Sequence, residues 1–464
     1  MKKILLLSFL LYCIQTISAQ QAMNMRLLSH WNDKSLVPID GDQLWSDIGG
    51  YYDSIKQKEY AVMLGNDSLY FFDMTNPTQL KLVAKLDGYS TKSINRDVEF
   101  YSHYAYFSAQ RSGSLGGLQI VDLQYLPDSI HEIYRSDSLT VQAHTIYIEA
   151  KSKRLYICEN STKMGFSAMD ILSLENPERP VKLASLQVPI NGQGQQLFSK
   201  VHEMYCSNDT AYLSCYEAGL FIIDLRDVNN QQLIGTIANY PQRGTNHSSW
   251  LNSSGKTIMF TDENLGSPIK LFDITDISNP KQMVYFNSHT NALPHNAYWK
   301  DNMAVVSSYE DGVYVYDLRD ENNPKIHAYY DTYLLNPEGS FSGFHGCWGV
   351  WPFLPSGNII ASDISEGLFV LKINYGVGVV NNEIKTAEKF TLYPNPAKNN
   401  ITINLPENSS TYHVQISNSI GQTIKQVDVN DSNKQIDVSS LPSGVYLVNI
   451  HTENTNQQIK FVKE

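Results

Sequence analysis

Five histidines punctuate the chain at intervals that suggest shared chemistry: His144, His202, His247, His295 and His345. Each is followed three residues later by an aromatic ring, in turn Tyr147, Tyr205, Trp250, Tyr298 and Trp348. Two further units of the same kind carry Asp47 and Asp97 near the histidine position. Fifteen residues beyond the histidine an acid recurs in four successive units, Glu159, Glu217, Asp262 and Glu310. A carboxylate beside an imidazole fixes its tautomer and raises its basicity. Three chemistries fit such a set. Histidine and acid can satisfy one another and the backbone where sheets converge. Neutral imidazoles backed by carboxylates can hold a transition metal such as Zn, Cu, Ni or Fe. The same groups can serve acid–base chemistry or a small ligand at a cavity mouth. Repetition alone does not separate them.

The elements that position these residues also repeat. A short apolar strand ending in Asp and followed by turn residues recurs as LYFFD (Asp73), LQIVD (Asp122), FSAMD (Asp170), LFIID (Asp224), IKLFD (Asp273) and VYVYD (Asp317). A seventh unit, EGLFVLKIN, has the strand without the Asp. The Asp is expected to cap the turn by accepting backbone N–H bonds. Within one unit, HEMYC, TAYLSCY, GLFIIDL and QQLIGTIA read as four strands joined by turns, with no helical period between them. Four-stranded repeats of about 40–50 residues are the pattern of propeller blades, which must pack round an axis to bury both faces. The last unit supplies only three strands, and MRLLSHW (residues 25 to 31) resembles the missing outer one. The expected architecture is therefore all-β. A seven-bladed propeller over residues 25–374 is closed by an N-terminal strand, which leaves no free edge in the last sheet. First strands that line the axis would bring the five histidines, Asp47, Asp97 and the four later acids to one channel mouth.

Composition narrows the partners. The 464 residues carry a formal net charge of −12 with no basic block, which argues against nucleic acid. The first residues, MKKILLLSFLLYCIQTISAQ, join two lysines, an apolar run and small residues around Ala19, the pattern of a secretory signal peptide over residues 1–19. No later stretch is apolar enough to span a bilayer. Cys158, Cys206, Cys215 and Cys347 lack metal-type spacing and are expected to be buried thiols. NGQGQQ and RSGSLGG read as loops between strands, and no phosphate loop, nucleophile elbow or HExxH motif is present.

The segments WSDIGGYY and FHGCWGVWPFLPSGNIIASDISEGLFVLK, with the IVDL-type strands, resemble the LVIVD-repeat propellers, in particular the choice-of-anchor B family, over residues 26 to 373. That resemblance implies the fold and a secreted location, with no settled activity. After a linker over 375–388, residues 389–464 alternate as a small β-sandwich. YPNPA, LPSGVYLV and a terminal lysine-containing strand resemble the type A C-terminal sorting domain of the type IX secretion system. This implies a Bacteroidota-type cell, export through the periplasm and outer membrane by the secretion machinery, and removal of the domain on the way to the surface. The expected function is a secreted or cell-surface binding or scaffold module for an unknown protein or small molecule. The alternative is a metal-dependent enzyme using the histidine ring, with Zn or Cu as cofactor.

Overall fold

In the computed structural model the chain is described over residues 22–39, 41–90, 92–93, 95–110, 116–333, 343–374, 391–404, 412–418, 423–430, 433–451 and 456–464. The leader, the linker and most of RSGSLGG lie outside these residues. Every helix or strand element among them is a strand. The chain divides into two compact units, Met1–Gly376 and Val377–Glu464.

The first unit holds seven antiparallel sheets. Five are built from four consecutive strands each, starting at Trp45–Asp53, Asn95–Tyr101, Ile146–Glu149, Glu203–Ser207 and Asn246–Leu251. The third strand (Ser68–Asp73 and Leu220–Asp224, for example) is mostly apolar and buried. The fourth, such as Lys81–Asp87, is the more exposed. This is the gradient of a sheet whose inner strands are packed between neighbouring sheets and whose outer edge meets water.

The edges of the last two sheets come from the N-terminus. Met25–Trp31 pairs antiparallel with Gly367–Ile373, from Met25 opposite Ile373 to Trp31 opposite Leu368. The sequence expects this pairing. It does not expect Ala22–Met23, which adds a fifth strand to the sheet that begins at Ala297–Lys300 by pairing with Tyr329 and Tyr330. The chain crosses from one sheet edge to the next at Asn24, whose backbone is left-handed (φ 50°). Asparagine tolerates that conformation better than most residues.

The turn-capping aspartates behave as expected at five positions. Asp73, Asp122, Asp224, Asp273 and Asp317 each accept an N–H two residues on, at 2.8–3.0 Å. Asp170 does not. Its strand, Gly165–Ser173, continues past it, and Ser173 Oγ accepts the N–H of Glu175 instead. Asp170 is buried, bonded to Lys182, Ser185 and Asn160. The repeat is thus more regular than the aspartates alone suggest.

First strands neighbour first strands. Trp45–Asp53 packs against Asn95–Tyr101, and the succession runs on through Ile146–Glu149, Glu203–Ser207 and Asn246–Leu251 to Ala297–Lys300. Cys347–Trp351 packs against Met303–Ser307 on one side and against Trp45–Asp53 on the other. These strands position the site.

The second unit has a three-stranded sheet (Thr391–Tyr393, Asn400–Asn404, Gln435–Asp437) and a four-stranded one (Tyr412–Asn418, Thr423–Val429, Gly444–His451, Asn456–Lys463). Both contribute to one apolar core that includes Ile401, Ile403, Ile416, Val448 and Phe461.

Candidate functional site

A cavity of about 260 Å³ lies where the first strands meet. Each of the seven sheets supplies it at least one residue from the start of its first strand: Asp47, Asp97, His144, His202, His247, His295 and Trp348. Six of these are among the residues singled out in the sequence. The seventh is a correction. His345 stands outside the cavity, its Nδ1 3.2 Å from Asp42 and its ring stacked on Tyr333. The pairing register explains the slip. Asn246 opposes Asp262 and Cys347 opposes Asp363, each followed by a bulge, so Trp348 takes the place of His247. The aromatic three residues beyond is then Trp351, not Trp348.

Of the expected aromatics, Tyr147, Trp250 and Tyr298 form a second layer of the lining with Phe100 and Trp351, whereas Tyr205 does not line the cavity. In the first sheet Gly50 adjoins this layer. A Cβ there would lie 2.5 Å from Trp351 Cδ1, so the indole occupies the space that a side chain would need.

The histidines do not stand at an open mouth. His202, His247 and His295 are only 6%, 3% and 3% exposed. They form a file with His144, ring centroids 4.1, 4.3 and 4.1 Å apart. Burial lowers the pKa of all four, well below the usual value for His202 and His247 and to about 3 for His295. They are neutral at physiological pH, as metal-ligating or hydrogen-bonding imidazoles must be. Opposite them lie acids. Asp97 Oδ2 accepts the N–H of Ile146 at 2.5 Å, and Asp47 Oδ2 that of Val98 at 3.4 Å. Burial first, then the neighbouring Asp97, raises the Asp47 carboxyl well above its ordinary range, and burial also raises Asp97, Glu99 and Glu203. Behind Asp97 the buried Arg96 guanidinium donates to the carbonyls of Gly65, Asn66 and Ser90 and fixes that corner of the wall.

The four acids counted fifteen residues beyond the histidines do not line the cavity. Glu159 binds Lys200 at 2.7 Å and the hydroxyl of Tyr216. Glu217 is exposed and accepts a bond from Thr245. Asp262 is fully buried in an ion pair with Lys270 at 3.0 Å. Glu310 is buried away from the cavity. Left-handed backbone at Glu159, Tyr216 and Tyr309 bends the returning chain, so the acid swings away from the histidine that the hairpin geometry would set beside it.

Two other carboxylates reach the histidines: Glu203, whose Oε2 lies 3.4 Å from His247 Nδ1, and Glu263. The Glu263 oxygens lie 3.6 Å from His295 Nε2 and 4.0 Å from His247 Nε2, and Glu263 accepts the Tyr309 hydroxyl at 2.6 Å. Glu263 follows Asp262 directly, so the fifteen-residue count picks its neighbour. Glu99, Glu203 and Asn95 were also missed. Glu99 was within reach, because it lies two residues beyond Asp97 on the same strand and so on the same face. The four cysteines are free and buried.

Comparison with known proteins bears mainly on the C-terminal unit. Residues 391–464 match the family described as the secretion system C-terminal sorting domain. That domain marks proteins exported by type IX secretion to the cell surface or extracellular space, and this chain is one of them. A stretch of 64 residues is 34% identical to Beta-agarase A of Zobellia galactanivorans, covering 14% of this chain and 12% of that protein's length. The computationally designed Ika8 protein aligns with a TM-score of 0.44 at 9% identity, over 72% of this chain and 97% of that one, a likeness too slight to bear on fold or function. No helix among the described residues is long and apolar enough to cross a membrane.

Proposed function

We propose that residues 25–374 are a seven-bladed β-propeller of the LVIVD-repeat, choice-of-anchor B type, and that it works outside the cell as a binding module whose ligand enters the cavity at the meeting of the first strands. Residues 1–19 act as the signal peptide, 375–388 as a linker and 389–464 as the domain read by the type IX machinery. One observation carries the binding reading: all seven sheets send a chemically distinctive residue, acid, imidazole or indole, into the same space. A purely structural axis is served as well by serine and small apolar residues, which satisfy or bury themselves at less desolvation cost. The aromatic layer supplies apolar walls and the imidazoles and carboxyls supply directional contacts, the mix of a small-molecule pocket.

The test is a melting-temperature screen of the full chain against divalent cations, small carboxylic acids and monosaccharides. The reading expects at least one class to raise the melting temperature saturably, and the substitutions Trp351→Ala and His144→Gln to abolish that rise. Absence of any saturable ligand, or a rise untouched by both substitutions, counts against it.

A further inference from the structure

The imidazole file holds more bare nitrogen lone pairs than its own contacts use. His295 Nδ1 lies 2.7 Å from the carbonyl oxygen of Trp348, so that nitrogen carries the proton and donates it. Its Nε2 then presents a lone pair, and it faces Glu263 Oε1 at 3.6 Å. His247 Nε2 faces the other carboxylate oxygen at 4.0 Å. Elsewhere in the file, the Nδ1 atoms of His202 and His247 are buried without a hydrogen-bond partner. Glu203 Oε2 is 3.4 Å from His247 Nδ1 but out of alignment for a hydrogen bond. The bare His295 Nε2 repels the carboxylate it faces, and leaving buried polar nitrogens such as His202 Nδ1 and His247 Nδ1 unpaired costs about 1–3 kcal/mol each. A cation among them removes both penalties.

One ligand atom from each of His202, His247 and Glu263 can be chosen so that all three lie within 4.8 Å of one another. Zn–N and Zn–O bonds of about 2.0–2.2 Å bring tetrahedral ligand atoms to roughly 3.3–3.6 Å apart, so small side-chain rotations close this set. The donor set selects the ion. Two neutral imidazoles and one carboxylate suit a borderline divalent transition ion, whereas calcium and magnesium take oxygen. Outer contacts of the usual kind are in place too: Tyr309 O–H holds Glu263, and His295 flanks it.

We infer that His202, His247 and Glu263 form a site for Zn²⁺ or a chemically similar divalent transition ion. Three protein ligands leave a coordination position for a water or a second molecule. This inference rests on the reading of the cavity as a binding site and names the ligand class.

The experiment is zinc binding by the full chain, stripped with a chelator and then titrated with zinc sulfate. Bound metal is counted by elemental analysis and affinity measured by calorimetry. The inference expects one zinc per chain and a melting temperature that rises with zinc. His247→Gln and Glu263→Gln, both close in shape to the native residues, should each weaken binding at least 100-fold, while His345→Gln binds as the wild type does. If one of the two variants fails to fold by circular dichroism, the other decides. Zinc below stoichiometry, or stoichiometric zinc retained by the folded variants, overturns the inference. Failure here together with a saturable, Trp351-sensitive response to another ligand class removes the metal and leaves the binding cavity. Failure with no such response removes both.

Discussion

His144 Nε2 and His202 Nε2 lie 3.0 Å apart although 58 residues separate them in the chain. Two neutral imidazoles can share that contact only if one donates and the other accepts. His144 Nδ1 is 2.6 Å from Gln110 Oε1, an acceptor, and 3.1 Å from Asn95 Nδ2, a donor; the shorter contact favours the His144 proton on Nδ1 and leaves Nε2 as the acceptor. His202 then donates from Nε2, and its Nδ1 is left as a bare, buried lone pair. A hydrogen-bond chain from Gln110 of the second sheet through His144 thus sets the chemistry available at His202, beside the fourth.

Histidine burial gives acid sensitivity a defined sign. His295 has a folded pKa of about 3 against the ordinary 6.5. A depressed histidine pKa contributes stability that is fully present above pH 6.5 and is lost as pH falls towards 3, with a slope of up to about 1.4 kcal/mol per pH unit. Relative to His295→Gln, the wild type should therefore lose stability between pH 7 and pH 4.5 when both are unfolded in urea with chelator present. A wild-type-to-variant gap that does not move with pH contradicts the assignment.

The acid side of the cavity has the opposite sign. The Asp47 carboxyl is raised by burial and by Asp97. Its contribution is fully present below about pH 4 and is lost as pH rises through the folded value. Asp47→Asn, which copies the protonated form, should melt above the wild type at pH 7 and level with it near pH 4. Calorimetry across that range checks this, and a variant less stable than wild type at pH 7 speaks against a strained pair.

Removing Trp31 tests closure of the last sheet. Its ring packs against Trp45, Tyr70 and Phe72, with centroids 5.6, 5.6 and 4.7 Å away. It thereby ties the N-terminal strand to the first sheet as well as the last. Because Trp31 is only half-buried, Trp31→Ala should cost about 2–4 kcal/mol in urea unfolding, towards the lower end for large aromatic deletions. A loss below about 0.5 kcal/mol means that the strand is not part of the folded core.

Gly50→Ala probes the aromatic layer. The added methyl would sit 2.5 Å from Trp351 Cδ1, and overpacking of this kind costs about 1–3 kcal/mol. Gly192→Ala meets nothing within 4 Å and should be neutral. Tryptophan fluorescence should shift for the first and not for the second. Equal stability of the two variants contradicts the placement of the indole.

How much of this was legible depends on the range of the interaction involved. The strand order, the Met25–Trp31 pairing and the gathering of Asp47, Asp97, His144, His202, His247 and His295 follow from period-two patterning and repeat spacing, which are local and leave marks in the chain. Trp348 was obscured because His345 precedes it by the same three residues that separate histidine from ring elsewhere. Glu263 was obscured because the fifteen-residue count lands on Asp262, which is buried against Lys270, while the next residue is the one that reaches the histidines. Asp170 imitates a turn cap in sequence and is instead a buried, hydrogen-bonded carboxylate. Bulges and bends of one residue are decided by packing between sheets, which a single repeat does not display.

The central claim is that one residue from each of seven sheets meets round a common cavity. A crystal structure of the secreted chain tests it most directly. The account predicts His144, His202, His247 and His295 in a file with ring centroids near 4 Å, facing Asp47 and Asp97, with Met25–Trp31 paired to Gly367–Ile373. Histidines dispersed over separate surfaces, or an N-terminal strand that leaves the last sheet open, would contradict it.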